Sequence, residues 1–174
     1  MFKEERSEST FHWGMLGDLE AGRPNLGRST DLAVYRLMQF TLRDVLIAEH
    51  GVDEANRLFV KAGEVAGRHF CRNLIKARGD LAAFVAELQK TLKDLGVGIL
   101  RIESADAATL EFTVSVGEDL DCSGLPQTDE VICAYDEGFL AGVLEEYSGK
   151  PFTARETDCW CTGDRTCRFL AKPR

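Results

Sequence analysis

The sequence has no excess of basic residues. Its 21 Lys and Arg stand against 29 Asp and Glu, a formal net charge of −8. That balance excludes a surface built to grip a phosphate backbone and disfavours docking on anionic membranes. No apolar run approaches the roughly 20 residues of a membrane span. The opening stretch, Met1 to Glu8, is charged and is followed by no apolar core, so the expectation is a chain without a signal peptide, held in the cytoplasm with its thiols reduced. There is no dinucleotide fingerprint, no flavin motif, no Cys-x-x-Cys-His haem attachment site and no double Cys-x-x-Cys pattern. What remains is a chain of 174 residues, 44% hydrophobic and 29% charged, enough for one folded domain with a real core.

Residues 1–28 read as an N-terminal arm rich in Gly and charge, anchored by Phe11, His12, Trp13, Met15 and Leu16. Its end, Gly22 to Ser29, approaches a phosphate-loop pattern, but Arg28 stands where Lys is needed and no strand precedes it; a turn is the better reading. Residues 29–174 form the domain. The first helix should start at a Ser29 or Thr30 cap and run to Gly51. The second, capped by Asp53, carries small residues Ala62, Gly63, Ala66 and Gly67 on neighbouring turns, which allow close helix packing or leave room for a ligand. A third follows Asp80. The period then changes to two: 97–103 and 109–117 predict a hairpin, with Leu110, Phe112, Val114 and Val116 on one face. A fourth helix is expected from a cap near Thr128 or Asp129 to Gly149, with Asp136, Glu137, Glu145 and Glu146 as its solvated face. A last hairpin pairs 152–159 with 166–171. Strands and helices do not alternate strictly, which predicts α+β: helices packed on an antiparallel sheet.

Cysteine is where the sequence concentrates its chemistry. Three of the six cysteines lie within Glu156–Cys167. The hairpin brings Glu156 and Cys159, at the end of the incoming strand, beside Cys167 at the start of the returning one. Cys133, in the first turns of the fourth helix, can reach them if that helix packs on the sheet. Three thiolates and one carboxylate fill a tetrahedral shell, the closed kind that zinc takes in structural sites. Cys161 competes with Glu156 for the fourth position, and buried free cysteines are the alternative to any metal. Cys71 reads as core, and Cys122 has no evident partner.

The run Glu156-x-x-Cys159-Trp160-x-x-Gly163-x-x-x-Cys167-x-Phe169 resembles the C-terminal signature of the 4-vinyl reductase domain family. Helix residues Cys133, Gly138, Gly142 and Tyr147, and the stretch Ala62-Gly63-x-x-x-Gly67, are similar to that family as well. The resemblance spans roughly residues 30–172. It implies a domain used in bacteriochlorophyll synthesis and as the sensor module of activators that respond to phenols and other aromatics. The fold it implies is shared with Golgi transport-particle subunits and haem-based nitric-oxide sensors. It assigns zinc to Cys133, Glu156, Cys159 and Cys167. The family usually has a small residue where Cys161 stands, and this sequence holds no ATPase or DNA-binding segment.

The expected function is therefore a small-molecule binding or sensing module for an aromatic, hydrocarbon or tetrapyrrole-like ligand, with a structural zinc. His69, Phe70, Phe112, Trp13 and Tyr135 are the candidate ligand contacts; plain core packing is the alternative for the aromatics. Two other readings stand beside it. One is an enzyme or accessory protein of tetrapyrrole vinyl reduction. The other is a haem-based sensor with His69 as its iron ligand. The expected partners are a small hydrophobic ligand, a second copy of the chain in a homodimer, and a downstream protein that the sequence does not name.

Overall fold

The computed structural model describes residues 5–106 and 108–174. Met1 to Glu4, at the start of the arm, and Ala107, within the expected hairpin connection, lie outside the described residues. The arm holds a 3-10 turn at Trp13–Leu16 and helix α1 at Leu19–Gly22. Three long helices follow: α2 (Leu32–His50), α3 (Val52–Leu74) and α4 (Leu81–Asp94). Strands β1 (Ile99–Asp106) and β2 (Glu111–Gly117), helix α5 (Ala134–Ser148) and strands β3 (Phe152–Asp158) and β4 (Cys167–Pro173) complete the described chain. The sheet is antiparallel throughout, in the order β1-β2-β4-β3, so β2 and β4 are its centre.

Local chemistry sets the boundaries, in places against expectation. Asp31, rather than Ser29 or Thr30, caps α2: its Oδ1 accepts from the Ala33 N–H at 2.8 Å. Helix α3 starts one residue before Asp53, on Gly51 at φ 82°, a left-handed turn that glycine makes cheaply. Asp53 and Glu54 then face the positive end of the helix. Asp80 caps α4 as read, accepting from Ala82 N–H. The largest departure is α5. Thr128 and Asp129 do not cap it, because both their N–H groups donate to the Cys161 carbonyl at 2.9 and 3.0 Å. The helix therefore begins later, and Cys133 becomes the N-cap.

Helix α5 lies between the sheet and α3. On the sheet side, Leu140, Val143 and Leu144 join a core with Phe152, Phe169, Val114 and Phe112. On the other side the two helices touch backbone to backbone. A Cβ on Gly138 would stand 1.9 Å from the Val60 carbonyl oxygen, and one on Gly142 2.3 Å from that of Glu64. Reciprocally, a Cβ on Gly63 or Gly67 would meet the Tyr135 or Phe139 carbonyl at 2.1 Å. The small residues of α3 thus serve packing at Gly63 and Gly67, while Ala62 and Ala66 open onto a cavity.

A helix covered on two sides has little solvated face, which corrects the reading of its acids. Glu137 is buried at 5% exposure, accepts from the Glu156 N–H at 2.8 Å and pairs with Arg155. Glu145 and Glu146 pair with Arg68 and Arg72 of α3. Asp136 keeps a buried Oδ2 without a hydrogen-bond partner. By contrast α2 packs only its inner side on α3 and leaves Val34, Leu37, Met38, Leu42 and Val45 more than half exposed, a stripe at helical spacing.

Candidate functional site

The cysteine cluster forms where the sheet, α5 and the loop after β2 meet. Glu156 faces α5 because β3 alternates, with Phe152, Ala154 and Glu156 inward. Cys159 follows the strand and opens a tight turn: its N–H donates to Thr162 Oγ1, and its carbonyl accepts from the Thr162 and Asp164 N–H groups. Gly163, at φ 102°, closes this turn. Cys167 starts β4 opposite Val116. Cys133 sits at the α5 N-terminus, whose dipole favours a thiolate. Its Sγ lies 3.8 Å from both Cys159 Sγ and Cys167 Sγ.

The sequence misses one member. Cys122, read as partnerless, places its Sγ 3.0 Å from that of Cys167, and the sulfurs of Cys122, Cys133, Cys159 and Cys167 all lie within 4.8 Å of one another. All four residues are fully buried. Only a fold that returns the β2–α5 loop over the last hairpin could reveal this, and no spacing rule covers a 45-residue separation. Glu156 is adjacent: its Oε2 accepts from the Cys133 N–H at 3.2 Å, and its buried Oε1 has no partner. Cys161 is buried but stands outside the four-sulfur group; it acts through its carbonyl, and burial pushes its thiol up to about 11.

The cluster is built for a cation. Donation from the Cys122, Cys133 and Cys167 thiols pulls Cys159 well below the ordinary thiol range, and the same sulfur contacts push Cys133 up. One negative charge is shared, and further ionisation needs a positive partner. Burial, then the charge on Cys159, lifts Glu156 to about 8. Zinc–sulfur bonds of about 2.3 Å set a tetrahedral sulfur–sulfur edge of about 3.8 Å. The two distances from Cys133 match it. The donor chemistry, the spacing and the orphaned Glu156 oxygen therefore fit a soft divalent ion such as zinc.

Beside the cluster lies a buried acidic group. Asp119 Oδ1 accepts from the Asp121 and Cys122 N–H groups, and Asp121 accepts from Tyr35 Oη and Gln39 Nε2 at 2.8 and 2.7 Å. Burial, followed by the charge of Asp121, pushes Asp119 up to about 6; burial raises Asp136 as well.

A separate cavity of about 620 Å³ opens between α3, α5 and the N-terminal arm. It brings together four of the five predicted ligand contacts, Trp13, His69, Phe70 and Tyr135, and adds Phe11 and Phe139. Phe11 meets the His69 ring edge-on at 5.0 Å, and Phe70 meets Phe139 at 5.1 Å. Phe139 was legible as the residue one turn after Tyr135; Phe11 was not, since the arm's course is tertiary. Phe112 is not part of this wall. Its place on β2 turns it toward Phe152, 6.4 Å away in the core between sheet and α5. Tyr135, lifted to about 12 by burial and then by Asp121, keeps its proton and can donate.

The family model of the vinyl-4-reductase domain matches residues 112–173, and the chain thus carries in this span the 4-vinyl reductase domain that its C-terminal motif resembles. The match takes in every cysteine of the cluster and Glu156, but only the α5 wall of the cavity. The uncharacterized protein MJ1642 of Methanocaldococcus jannaschii is 27% identical over 145 residues, 83% of this chain and 78% of its own. Among solved structures, a vinyl-4-reductase family protein from the same organism aligns with a TM-score of 0.62 at 18% identity, over 96% of this chain and 99% of its own. The phenol-responsive sensory domain of the transcription activator PoxR, with phenol, aligns with a TM-score of 0.62 at 19% identity, over 83% and 75%. A trafficking protein particle complex subunit 3 from Naegleria fowleri, covalently bound to palmitic acid, aligns with a TM-score of 0.67 at 11% identity, over 82% and 95%. The expected α+β architecture and its likeness to transport-particle subunits hold. No helix among the described residues is long and apolar enough to cross a membrane.

Proposed function

We propose that this protein is a binding and sensing module for a small apolar, ring-bearing molecule, held in the cavity between α3, α5 and the arm. The observation that carries this is the wall itself: Phe11, Trp13, Phe70 and Phe139 around it, with His69 and Tyr135 as polar groups to orient a ligand. Pockets for organic ligands typically span about 300–1,000 Å³ and combine an apolar lining with a few such groups. A cavity near 620 Å³ exceeds a lone phenol ring and suits a multi-ring or chain-bearing molecule. The PoxR domain, which binds phenol, and the palmitate-bound subunit supply the two ligand classes to compare.

In this reading the metal is structural. Cys133, Cys159 and Cys167 hold zinc with Glu156 as the oxygen donor beside them. The ion pins the start of α5 to the last hairpin, and its binding free energy adds to folding. The exposed apolar stripe of α2 is the face through which two copies pair. A tetrapyrrole is the second reading, because the half-buried His69 ring lines the open cavity and can serve as an iron ligand. Isothermal calorimetry with substituted phenols, a fatty acid and haem tests the reading. Saturable binding of one class, weakened at least tenfold by His69→Ala, supports it; no binding by any of the three contradicts it.

A further inference from the structure

The cluster offers five donors to an ion that takes four. We infer that Cys122 holds the fourth position, giving a shell of four thiolates with Glu156 as an outer group. This rests on the metal-centre reading above. The four sulfurs lie mutually within 4.8 Å, whereas Glu156 is in no such group with them. The Glu156 carboxylate is already engaged, accepting at Oε2 from the Cys133 N–H and so orienting that ligand, the role outer carboxylates play around metal sites.

Cys122 is also held in place. Its N–H is fixed by Asp119 Oδ1. The Arg36 guanidinium of α2 donates to the carbonyls of Asp119, Leu120 and Ser123, clamping both sides of the residue. The Trp160 indole N–H reaches the Leu125 carbonyl, and Thr128 and Asp129 bind that of Cys161, so the Cys122 loop is laced to the turn that carries Cys159. A loop clamped at this many points, delivering one fully buried thiol onto Cys167, has the pre-organisation expected of a ligand. The Cys122–Cys167 distance is shorter than the tetrahedral edge by about 0.8 Å, which a small side-chain rotation relieves. Glu156, with its free Oε1, is the reserve donor that enters when Cys122 is removed.

The full chain loaded with cobalt(II) tests this, because thiolate-to-cobalt charge transfer scales with the number of bound sulfurs. Cys122→Ser should keep one cobalt per chain while its charge-transfer intensity falls to roughly three-quarters, one sulfur of four; Glu156→Gln should leave the intensity unchanged. An unchanged Cys122→Ser spectrum with a changed Glu156→Gln spectrum overturns the inference and leaves the metal centre standing. Cadmium-113 NMR of the wild type needs no substitution. A four-sulfur shift supports the inference; a three-sulfur, one-oxygen shift overturns it. Failure of the wild type to take up either ion overturns the metal centre and this inference together.

Discussion

Gly138→Ala tests the joint on which both candidate sites depend. The added methyl would stand 1.9 Å from the Val60 carbonyl oxygen and 2.9 Å from the Glu64 nitrogen. Ordinary contact begins at 3.4 Å, so α3 and α5 must part by about 1.5 Å, and backbone offers no side chain to swing aside. That separation also loosens the facing contacts at Gly63, Gly67 and Gly142. Overpacking a core costs about 1–3 kcal/mol, and a backbone clash belongs at or beyond the top of that range. Against a typical total of about 5–15 kcal/mol this is a large fraction. For a chain of this size a loss near 3 kcal/mol lowers Tm by roughly 6–12 °C. Because α5 begins at Cys133 and carries Tyr135 and Phe139, the same shift should weaken metal retention and widen the cavity. Chemical denaturation, metal content and ligand binding measure the three effects. Gly22→Ala, where a Cβ meets nothing within 4 Å, is the control and should stay within about 0.5 kcal/mol of wild type. A Gly138→Ala protein with wild-type stability and metal content would refute the backbone-contact account.

Chelation of the metal, or Cys167→Ala, should destabilise the chain, with protease cleavage rising first around 119–133 and 159–167; unchanged stability after complete metal removal would rule out a structural ion. In chelated protein, the raised Asp119 carboxyl contributes stability that is fully present below the ordinary carboxylate pKa and lost as pH rises through about 6. Stability should therefore increase on going from pH 7 toward 5, by about 1 kcal/mol from this group. Asp119→Asn keeps the acceptor and removes the charge, so its profile should be flatter; an identical profile would exclude Asp119 as the cause. Leu37→Glu with Met38→Glu should turn a dimer into a monomer in sedimentation, and a wild type already monomeric at micromolar concentration would remove the α2 interface.

The parts of this fold that were legible in the sequence are those written in local chemistry. Val114, Val116 and their alternating neighbours marked β2, Asp80 marked the start of α4, and the Glu156–Cys167 motif marked the last hairpin. The misreadings share one cause, contacts made across long sequence separations. Thr128 and Asp129 look like helix caps until Cys161 takes their N–H groups. Glu137 looks solvated until β3 covers it. Phe112 looks like a ligand contact because inward-facing aromatics on a strand and on a cavity wall share one pattern. Cys122 is invisible as a cluster member because the loop carrying it is positioned by Arg36, more than 80 residues earlier.

The most direct test of the central claim is tryptophan fluorescence during titration with a substituted phenol or a fatty acid. The two indoles are Trp13, in the cavity wall, and Trp160, bonded to the Leu125 carbonyl away from it. A saturable change that disappears in Trp13→Phe and persists in Trp160→Phe is the predicted result. A change that follows Trp160, or binding by calorimetry with Trp13 silent, would place the ligand elsewhere and contradict the account.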